Sequence, residues 1–324
     1  VASLVGSEMC IRDSTSTFLP VEEHDEEGRD VAVMQTAHNR RINAISERIE
    51  DDDIKRTIGR LVSPITPLMP SMQMNLKHHK DPVKGRPVIS NINAPQSRSS
   101  KWAAQQLSPF VGLISDAHIR DTRDFHERIR RCKADARLAS LDIKSLFTNI
   151  PVREAIDVIR QHSTGPNPTY KHLPIDPEIF CELLEVCTSF NQFSFGGNHY
   201  RQVTGCPMGS SLSPVLANIY MEHFETLILD DIPTDMKPVI WLRYVDDIFV
   251  LIKDMSKFEA FVERLNGYNP SIQFTFELSR TERTTNGLPD LPADVVESLP
   301  FLELNVMRLT NDSFAFSIYR KPVH

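Results

Sequence analysis

Residues 241–252 of the chain read Trp241-Leu242-Arg243-Tyr244-Val245-Asp246-Asp247-Ile248-Phe249-Val250-Leu251-Ile252. Two apolar runs flank the adjacent carboxylates Asp246 and Asp247, and Arg243 is the only charge inside either run. Such runs predict two strands, with Tyr244–Asp247 as a tight turn between them. A hairpin with two carboxylates at its tip offers the oxygen ligands that Mg²⁺ prefers. Taken alone, an Asp-Asp pair is more often part of an ordinary surface turn.

A third carboxylate, Asp142, ends another apolar strand, which we place at Leu138–Leu141. Taken alone, an Asp at this position is typical of a helix cap or a turn. Together with Asp246 it would complete a two-metal site. Phosphoryl transfer requires carboxylates from separate segments to converge, because two metal ions must activate a 3′ hydroxyl and stabilise the leaving pyrophosphate.

The composition is that of a soluble globular protein, with 324 residues, 40% hydrophobic and 24% charged. No run of about eighteen apolar residues occurs, so we expect neither a membrane span nor a membrane partner. The five cysteines lack the CxxC spacing of a zinc site. We interpret them as reduced thiols of an intracellular protein, either nuclear or cytoplasmic.

The net charge of −7 taken as a sum argues against a nucleic-acid partner. The distribution of charge is more informative than the sum. Residues 71–140 contain 13 Lys or Arg and 6 Asp or Glu, a net charge of +7. The sequence therefore permits a local basic surface within an acidic chain.

Three regions differ in their patterning. Residues 1–30 have no periodicity, and we expect a disordered or artefactual segment there. Residues 31–70 are predicted to form an N-terminal helix, over 36–60, and a Pro-rich connector with Pro64, Pro67 and Pro70. Residues 71–322 mix strands and helices without βαβ regularity, which predicts an α+β domain. Within it we expect a loop insertion at Arg280–Pro300 and a closing hairpin formed by Pro300–Val306 and Phe314–Tyr319.

Six segments of this domain occur in the order of one family's motifs. They are Lys77–Lys80 with Arg86–Ser90, Asp142–Pro151, Thr204–Pro214, Tyr244–Asp247, Phe301–Glu303 and Tyr319–Pro322. These segments resemble the characteristic motifs of reverse transcriptases, and their amino-acid sequences are most similar to those of Penelope-like retroelements. The resemblance implies the fingers and palm of a right-hand polymerase, with an antiparallel palm sheet packed on helices. It also implies an RNA-directed DNA polymerase that uses an RNA template, a DNA primer, dNTPs and two Mg²⁺ ions, with Mn²⁺ as a possible substitute.

The resemblance also implies roles for the metal-site residues. Asp142 and Asp246 would bind both metal ions with the help of the Ile143 carbonyl, and Asp247 would support the site. Tyr244 would border the primer end.

Other matching residues would contact the nucleotide or the nucleic acid. Lys80 and Arg86 would hold the triphosphate, Arg86 through bidentate contacts, unless they belong to a solvated basic loop. Phe147 would be a steric gate against a ribose 2′ hydroxyl, unless it is an ordinary core residue.

The segment Gly205–Pro214 combines glycines and small hydroxyl residues before a helix. It would bring Met208 and Gly209 to the nucleotide and Ser213 and Pro214 to the primer–template. Without the resemblance it would be an ordinary loop and N-cap. Many reverse transcriptases carry Gln at the position of Met208.

Two other functions remain open. One is a catalytically inactive fragment or a domesticated nucleic-acid-binding module with the same palm fold. The other is an RNA-copying RNA polymerase, which Tyr244–Asp247 and Phe147 disfavour. The chain ends at His324, directly after Tyr319–Pro322, so we expect these residues to lack a thumb and a nuclease domain. We therefore expect a weak grip on the primer–template duplex.

Overall fold

The computed structural model describes residues 17–22, 25, 29–77, 84–281 and 292–320, except the side chains of 76–77 and 84–86. Within these residues the chain divides into two units. The first unit comprises the described residues up to 111 together with 147–220, and the second comprises 112–146 together with 221–320. No helix in these ranges is both long and apolar enough to cross a bilayer.

The elements follow one another in an irregular mixture of strands and helices. In chain order they are β1 (Phe18–Pro20), α1 (Val31–Ser46), α2 (Asp52–Gly59), β2 (Ser71–Lys77), β3 (Lys84–Ser90), α3 (Ser97–Leu107), α4 (Thr122–Ile129), β4 (Arg137–Ile143), α5 (Leu146–Asn149), α6 (Val152–Ser163), α7 (Pro177–Ser189), β5 (Gln192–Phe195), β6 (Asn198–Gln202), α8 (Ser213–Asp231), β7 (Ile240–Tyr244), β8 (Asp247–Ile252), α9 (Phe258–Tyr268), β9 (Phe274–Leu278), β10 (Val295–Phe301), β11 (Leu304–Leu309) and β12 (Phe314–Ile318).

The N-terminal helical region contains two helices where the sequence predicts one. The break follows from Asp51, whose carboxylate accepts the backbone N–H groups of Asp53 and Ile54, both at 2.9 Å. An Asp in this position is a strong N-cap. It starts α2 as a separate helix after α1 has ended at Ser46.

The sheet of the first unit has the strand order β1-β6-β5-β2-β3. Its strand β1 lies inside the segment 1–30 that the sequence predicts to be disordered, so that expectation is wrong for Phe18–Pro20. Two interactions order these residues. Phe18 pairs with Gln202 of β6, and its ring is only 3% exposed and packs edge-on against Phe193.

The second unit contains two antiparallel sheets. One has the order β7-β8-β4-β9 and the other has the order β10-β11-β12. Part of the predicted loop at Arg280–Pro300 is in fact strand β10. The reason is burial, because Val295, Leu299 and Phe301 all point into the core, so the strand gains packing that the Pro-rich local sequence does not suggest. The predicted closing hairpin is present as β11 and β12. Its first strand is shifted from the predicted Pro300–Val306, because Pro300 and Phe301 end β10 and β11 begins at Leu304 after a turn.

A buried carboxylate joins the two sheets of the second unit. Glu297 of β10 accepts the Nε–H of Arg137 at 2.8 Å and the Nε–H of Arg308 at 2.6 Å, and it also accepts the Ser279 hydroxyl. Arg137 belongs to β4 and Arg308 to β11. One side chain therefore connects the sheet β7-β8-β4-β9 to the three-stranded sheet.

Candidate active site

The end of the four-stranded sheet carries a row of exposed polar residues. In the register of β4 and β8, Asp142 lies directly opposite Asp247. Tyr244 lies opposite Asp247 on β7, and Thr275 lies opposite Asp142 on β9. Residues directly opposite each other in a sheet have their side chains on the same face. All four are exposed, whereas the two residues that flank Asp142 in its strand are buried.

Asp246 lies in the turn between β7 and β8, and the hairpin predicted for residues 241–252 is confirmed. The backbone carbonyl of Asp246 accepts the N–H of Ile143 at 3.0 Å. Ile143 directly follows Asp142, so this hydrogen bond places two segments about 100 residues apart side by side. The Asp246 side chain is half-buried, while those of Asp142 and Asp247 are exposed.

The turn itself has an unusual backbone conformation. Val245 has φ of +56°, a left-handed value that β-branched residues rarely adopt. Strained residues of this kind persist where the surrounding structure holds them, and they cluster at functional sites. The turn is therefore held by its surroundings and not by local preference.

Sequence reasoning missed the residue that supports this turn, Arg243. Its side chain is fully buried, and its Nε donates to the Oε1 of Glu225 of α8 at 2.7 Å. Its Nη1 donates to the Val245 carbonyl at 3.2 Å. The available signal was that Arg243 is the only charge in an otherwise apolar strand, because a buried charge requires a partner.

Two further titratable groups lie close to Arg243 in the second unit. The pKa of His118 is lowered to about 4, first by burial and second by the neighbouring Arg243 cation. Burial also raises the pKa of Glu222, although its carboxylate accepts the N–H groups of Gly112 at 2.7 Å and Ile114 at 3.1 Å. His118 is therefore a neutral imidazole at physiological pH and adds no charge to the site.

In the first unit, the loop Gly205–Pro214 packs against the segment of Phe147. The Cys206 N–H donates to the Phe147 carbonyl at 2.7 Å. Gly205 has φ of +76°, and a Cβ there would lie 2.4 Å from the same carbonyl oxygen. Only glycine permits this approach. Phe147 is half-buried, so part of the residue is accessible to solvent.

The next part of the loop approaches strand β3. A Cβ on Gly209, where φ is +80°, would lie 1.8 Å from the Ile89 carbonyl oxygen. The Met208 carbonyl accepts the side-chain amide of Asn91 at 2.9 Å. The Met208 side chain packs against the cluster that contains Ile89. Asn91 is a second supporting residue that sequence reasoning missed.

The remaining predicted site residues are placed as follows. Ser213 and Pro214 start α8, where Ser213 is buried with its hydroxyl bonded to the Pro207 carbonyl, and Pro214 is exposed. Lys80 lies outside the residues that the structure describes. For Arg86 the structure describes only the backbone, which pairs with Asn75 of β2.

The residues of the second unit can be tested for their fit to a divalent cation. Within the described ranges, no group of three or more His, Cys, Asp or Glu side chains is arranged to hold a metal ion by itself. Mg²⁺ is commonly bound by one or two carboxylates, with waters and substrate phosphates completing its shell. Asp142 and Asp246 supply carboxylate oxygens at the same end of the four-stranded sheet. The residues present therefore fit a Mg²⁺ site.

Most of the chain is similar to one known protein family. Residues 76–302, well over half of the chain, match the family described as reverse transcriptase (RNA-dependent DNA polymerase). No curated protein matches the chain. The predicted α+β class, with the fingers and palm of a polymerase, is confirmed by the family match together with the observed sheets.

Solved structures show similarity at the level of the fold. Telomerase from Candida albicans, in complex with a fragment of telomeric RNA, is 11% identical with a TM-score of 0.50, covering 90% of this chain and 50% of that one. A truncated apo telomerase from Candida tropicalis is 12% identical with a TM-score of 0.45, covering 80% and 56%. The BmCPV RNA-dependent RNA polymerase is 10% identical with a TM-score of 0.49, covering 88% and 27%. The chain thus spans about half the length of the telomerases and a smaller share of the viral enzyme.

Proposed function

Because the chain belongs to the reverse transcriptase (RNA-dependent DNA polymerase) family, we propose that it extends a DNA primer along an RNA template. In this reaction the primer 3′ hydroxyl attacks the α-phosphate of a dNTP and pyrophosphate leaves. The observation that carries the proposal is the hydrogen bond between Ile143 and Asp246. It brings the segment of Asp142 beside the turn of Asp246, as a shared metal site requires.

We assign Asp142 and Asp246 to the binding of two Mg²⁺ ions, with the Ile143 carbonyl as a further oxygen ligand and Mn²⁺ as an alternative ion. Bound there, the ions would activate the 3′ hydroxyl and neutralise charge on the leaving group. Asp247 lies opposite Asp142 on the neighbouring strand. It adds negative charge at the same end of the sheet and so favours cation binding. Tyr244 lies in the same row and would contact the primer end.

Residues of the first unit would bind the nucleotide and the template. The close backbone approach at Gly209 keeps the Met208–Gly209 segment in place for contact with the incoming nucleotide. Phe147 would exclude a ribose 2′ hydroxyl, and Lys80 and Arg86 would bind the triphosphate. Pro214, which is exposed at the start of α8, would face the primer–template. Ser213 is only 2% exposed and bonds the Pro207 carbonyl, so the structure does not support the direct contact predicted for it.

The type of element is a further part of the proposal. The sequences of Thr204–Pro214 and Tyr244–Asp247 resemble those of Penelope-like retroelements. We assign the chain to that group of reverse transcriptases. In this assignment the protein acts inside the cell, in the nucleus or the cytoplasm.

Primer extension tests the proposal. The full chain is incubated with a DNA primer on an RNA template, Mg²⁺ or Mn²⁺, and either dNTPs or NTPs. We expect extension with dNTPs only, and a loss of at least about 10³-fold in Asp142→Asn and Asp246→Asn, in line with removal of a group essential for metal-assisted transfer. Asp135→Asn is the matched control, because Asp135 is an exposed carboxylate just before the opposite end of β4.

Each other outcome has a defined meaning. Extension with NTPs at a comparable rate would assign the chain to RNA synthesis instead. If the folded wild-type chain binds the duplex but extends no primer, the protein is a nucleic-acid-binding module with a palm fold and not a polymerase.

A further inference from the structure

Arg243 is a cation enclosed in the second unit. Its side chain and that of Glu225 are both 0% exposed, and the Nε to Oε1 distance is 2.7 Å. Charged groups are retained in a protein interior only where they are paired and hydrogen-bonded. The pair neutralises the charge, but it does not account for the second contact that Arg243 makes.

That second contact is to the catalytic turn. Nη1 of Arg243 donates to the Val245 carbonyl at 3.2 Å, and Val245 is the residue with the left-handed backbone. The other turn residue, Asp246, has its carbonyl bonded to the N–H of Ile143 at 3.0 Å. Both carbonyls of the two-residue turn are therefore held by donors, one from Arg243 and one from the strand of Asp142.

Arg243 is itself held in place by its neighbours. The indole N–H of Trp241 donates to the same Glu225 oxygen at 2.9 Å. The Arg243 N–H donates to the Ala117 carbonyl at 2.7 Å, and its carbonyl accepts the N–H of Ile119 at 2.9 Å. The backbone of Arg243 is thus fixed at the edge of the sheet, and its guanidinium is oriented by Glu225.

We infer that Arg243 is a positioning residue, which acts through the Val245 carbonyl to hold the turn that carries Asp246, with Glu225 orienting its guanidinium. This inference rests on the proposed function, in which Asp246 binds the catalytic cations. The planar guanidinium suits the task because it presents separate N–H groups in a fixed geometry, one to a carboxylate and one to a carbonyl. A lysine ammonium is a point charge on a flexible stem and lacks that geometry.

The test uses a double variant, Arg243→Met with Glu225→Gln, in the full chain. It removes both charges together, so that no buried charge is left unpaired, and the introduced glutamine amide would still offer Trp241 an oxygen acceptor. The control is Arg308→Met with Glu297→Gln, which removes a second buried pair of the same unit, with an Nε to Oε1 distance of 2.6 Å, and also takes the carboxylate from Arg137 of β4. It therefore measures the effect of lost stability without removing a contact to the turn. A third variant, Arg243→Lys, keeps the charge and loses the planar donor geometry.

Two measurements separate positioning from simple stabilisation. The first is hydrogen exchange at the Ile143 amide without metal. In the Arg243 double variant we expect it to become about tenfold faster than the change in melting temperature accounts for, and in the control no faster than that change accounts for. The second is primer extension, in which kcat should fall about 10²-fold in the Arg243 double variant with KM for dNTPs unchanged, as expected for a misplaced catalytic group. Arg243→Lys should lie between this variant and wild type in both measurements.

The outcomes distinguish this inference from the proposed function. The inference is wrong if exchange at Ile143 is no faster than the change in melting temperature accounts for and activity falls only as far as the melting temperature does in both double variants. Arg243 would then only stabilise the core through its ion pair. If the Arg243 double variant does not fold, Arg243→Lys decides the question, and wild-type exchange in that variant overturns the inference. A wild-type chain that extends no primer would refute the proposed function, whereas the exchange result would still decide whether Arg243 holds the turn.

Discussion

Asp142 lies directly opposite Asp247 across β4 and β8. The next pair towards the strand end, Ile143 and Asp246, is joined by a hydrogen bond, so Asp142 and Asp247 form a non-hydrogen-bonded pair. Such pairs have the closer spacing, with about 4.5 Å between Cα atoms. Two carboxylates on one face at this spacing repel each other, and a divalent cation would relieve that repulsion.

The first prediction concerns stability without metal. Like charges directly opposite each other in a sheet destabilise it by about 0.2–1 kcal/mol. Asp247→Asn should therefore raise the melting temperature in metal-free buffer, and Mg²⁺ should stabilise the variant less than it stabilises wild type. Calorimetry with and without Mg²⁺ measures both effects, and Asp135→Asn, at an exposed carboxylate just before β4, serves as the control. A variant that melts below wild type without metal would show that Asp247 makes a net favourable contribution.

A second prediction concerns Phe147 and sugar selectivity. A ring that abuts the sugar C2′ excludes a hydroxyl by its volume, so Phe147→Val should allow NTP incorporation while dNTP incorporation stays within about tenfold, which is about 1.4 kcal/mol. Because Phe147 is half-buried, the loss of stability should be smaller than the about 3–5 kcal/mol of a fully buried phenylalanine. Extension with each nucleotide type and the melting temperature are measured on the same variant. Unchanged sugar selectivity in a folded variant would refute the gate.

A third prediction compares two glycines with left-handed backbones. Gly209 and Gly197 have φ of +80° and +83°, but only at Gly209 would a Cβ clash with a backbone atom, the Ile89 carbonyl oxygen at 1.8 Å. Alanine at either position costs about 1–2 kcal/mol of backbone strain. Gly209→Ala should in addition displace the Met208–Gly209 segment and lower kcat/KM for dNTPs by about 10²-fold. Gly197→Ala should carry the same backbone strain but keep the wild-type kcat/KM. Equal kcat/KM in the two variants would show that Gly209 does not contribute to the nucleotide site.

A fourth prediction concerns acid stability. His38 is completely buried, and burial lowers its pKa from 6.5 to about 4. Between these values the unfolded chain binds a proton that the folded chain does not, so stability rises with pH. The contribution is complete above about pH 6.5 and is lost as the pH falls to about 4, with a size of up to about 3 kcal/mol.

The measurement is the melting temperature as a function of pH. His38→Gln should flatten the decline between pH 6.5 and 4, whereas His172→Gln, at an exposed histidine, should leave the decline as in wild type. A decline that is identical in His38→Gln and in wild type would mean that His38 stays protonated in the folded state.

The sequence predicted the elements whose patterns are local. The hairpin of residues 241–252 could be recognised because two apolar runs bracket a polar turn, and strand β4 because an apolar run ends in Asp142. The segment Gly205–Pro214 was expected to precede a helix, and α8 begins at its end, at Ser213. In each case neighbouring residues along the chain decide the structure.

What the sequence did not predict depends on partners distant along the chain. Strand β10 forms because β11 and the core cover it, although its own sequence includes Pro300. Glu225 pairs with Arg243 across 18 residues, and no pattern in α8 distinguishes Glu225 from a solvated glutamate. Asn91 contacts Met208 across 117 residues. Such pairs become visible only when the register of the sheets is known.

The carboxylate of Glu297 has a consequence for how the second unit comes apart. It is bonded at once to Arg137 of one sheet and to Arg308 of the other, so the sheets cannot separate without breaking an ion pair of a fully buried carboxylate. A penalty of that kind ties separate pieces of a protein into one cooperative unit. The two sheets should therefore unfold together, and the metal-binding edge should be lost in the same transition as the hairpin of β11 and β12.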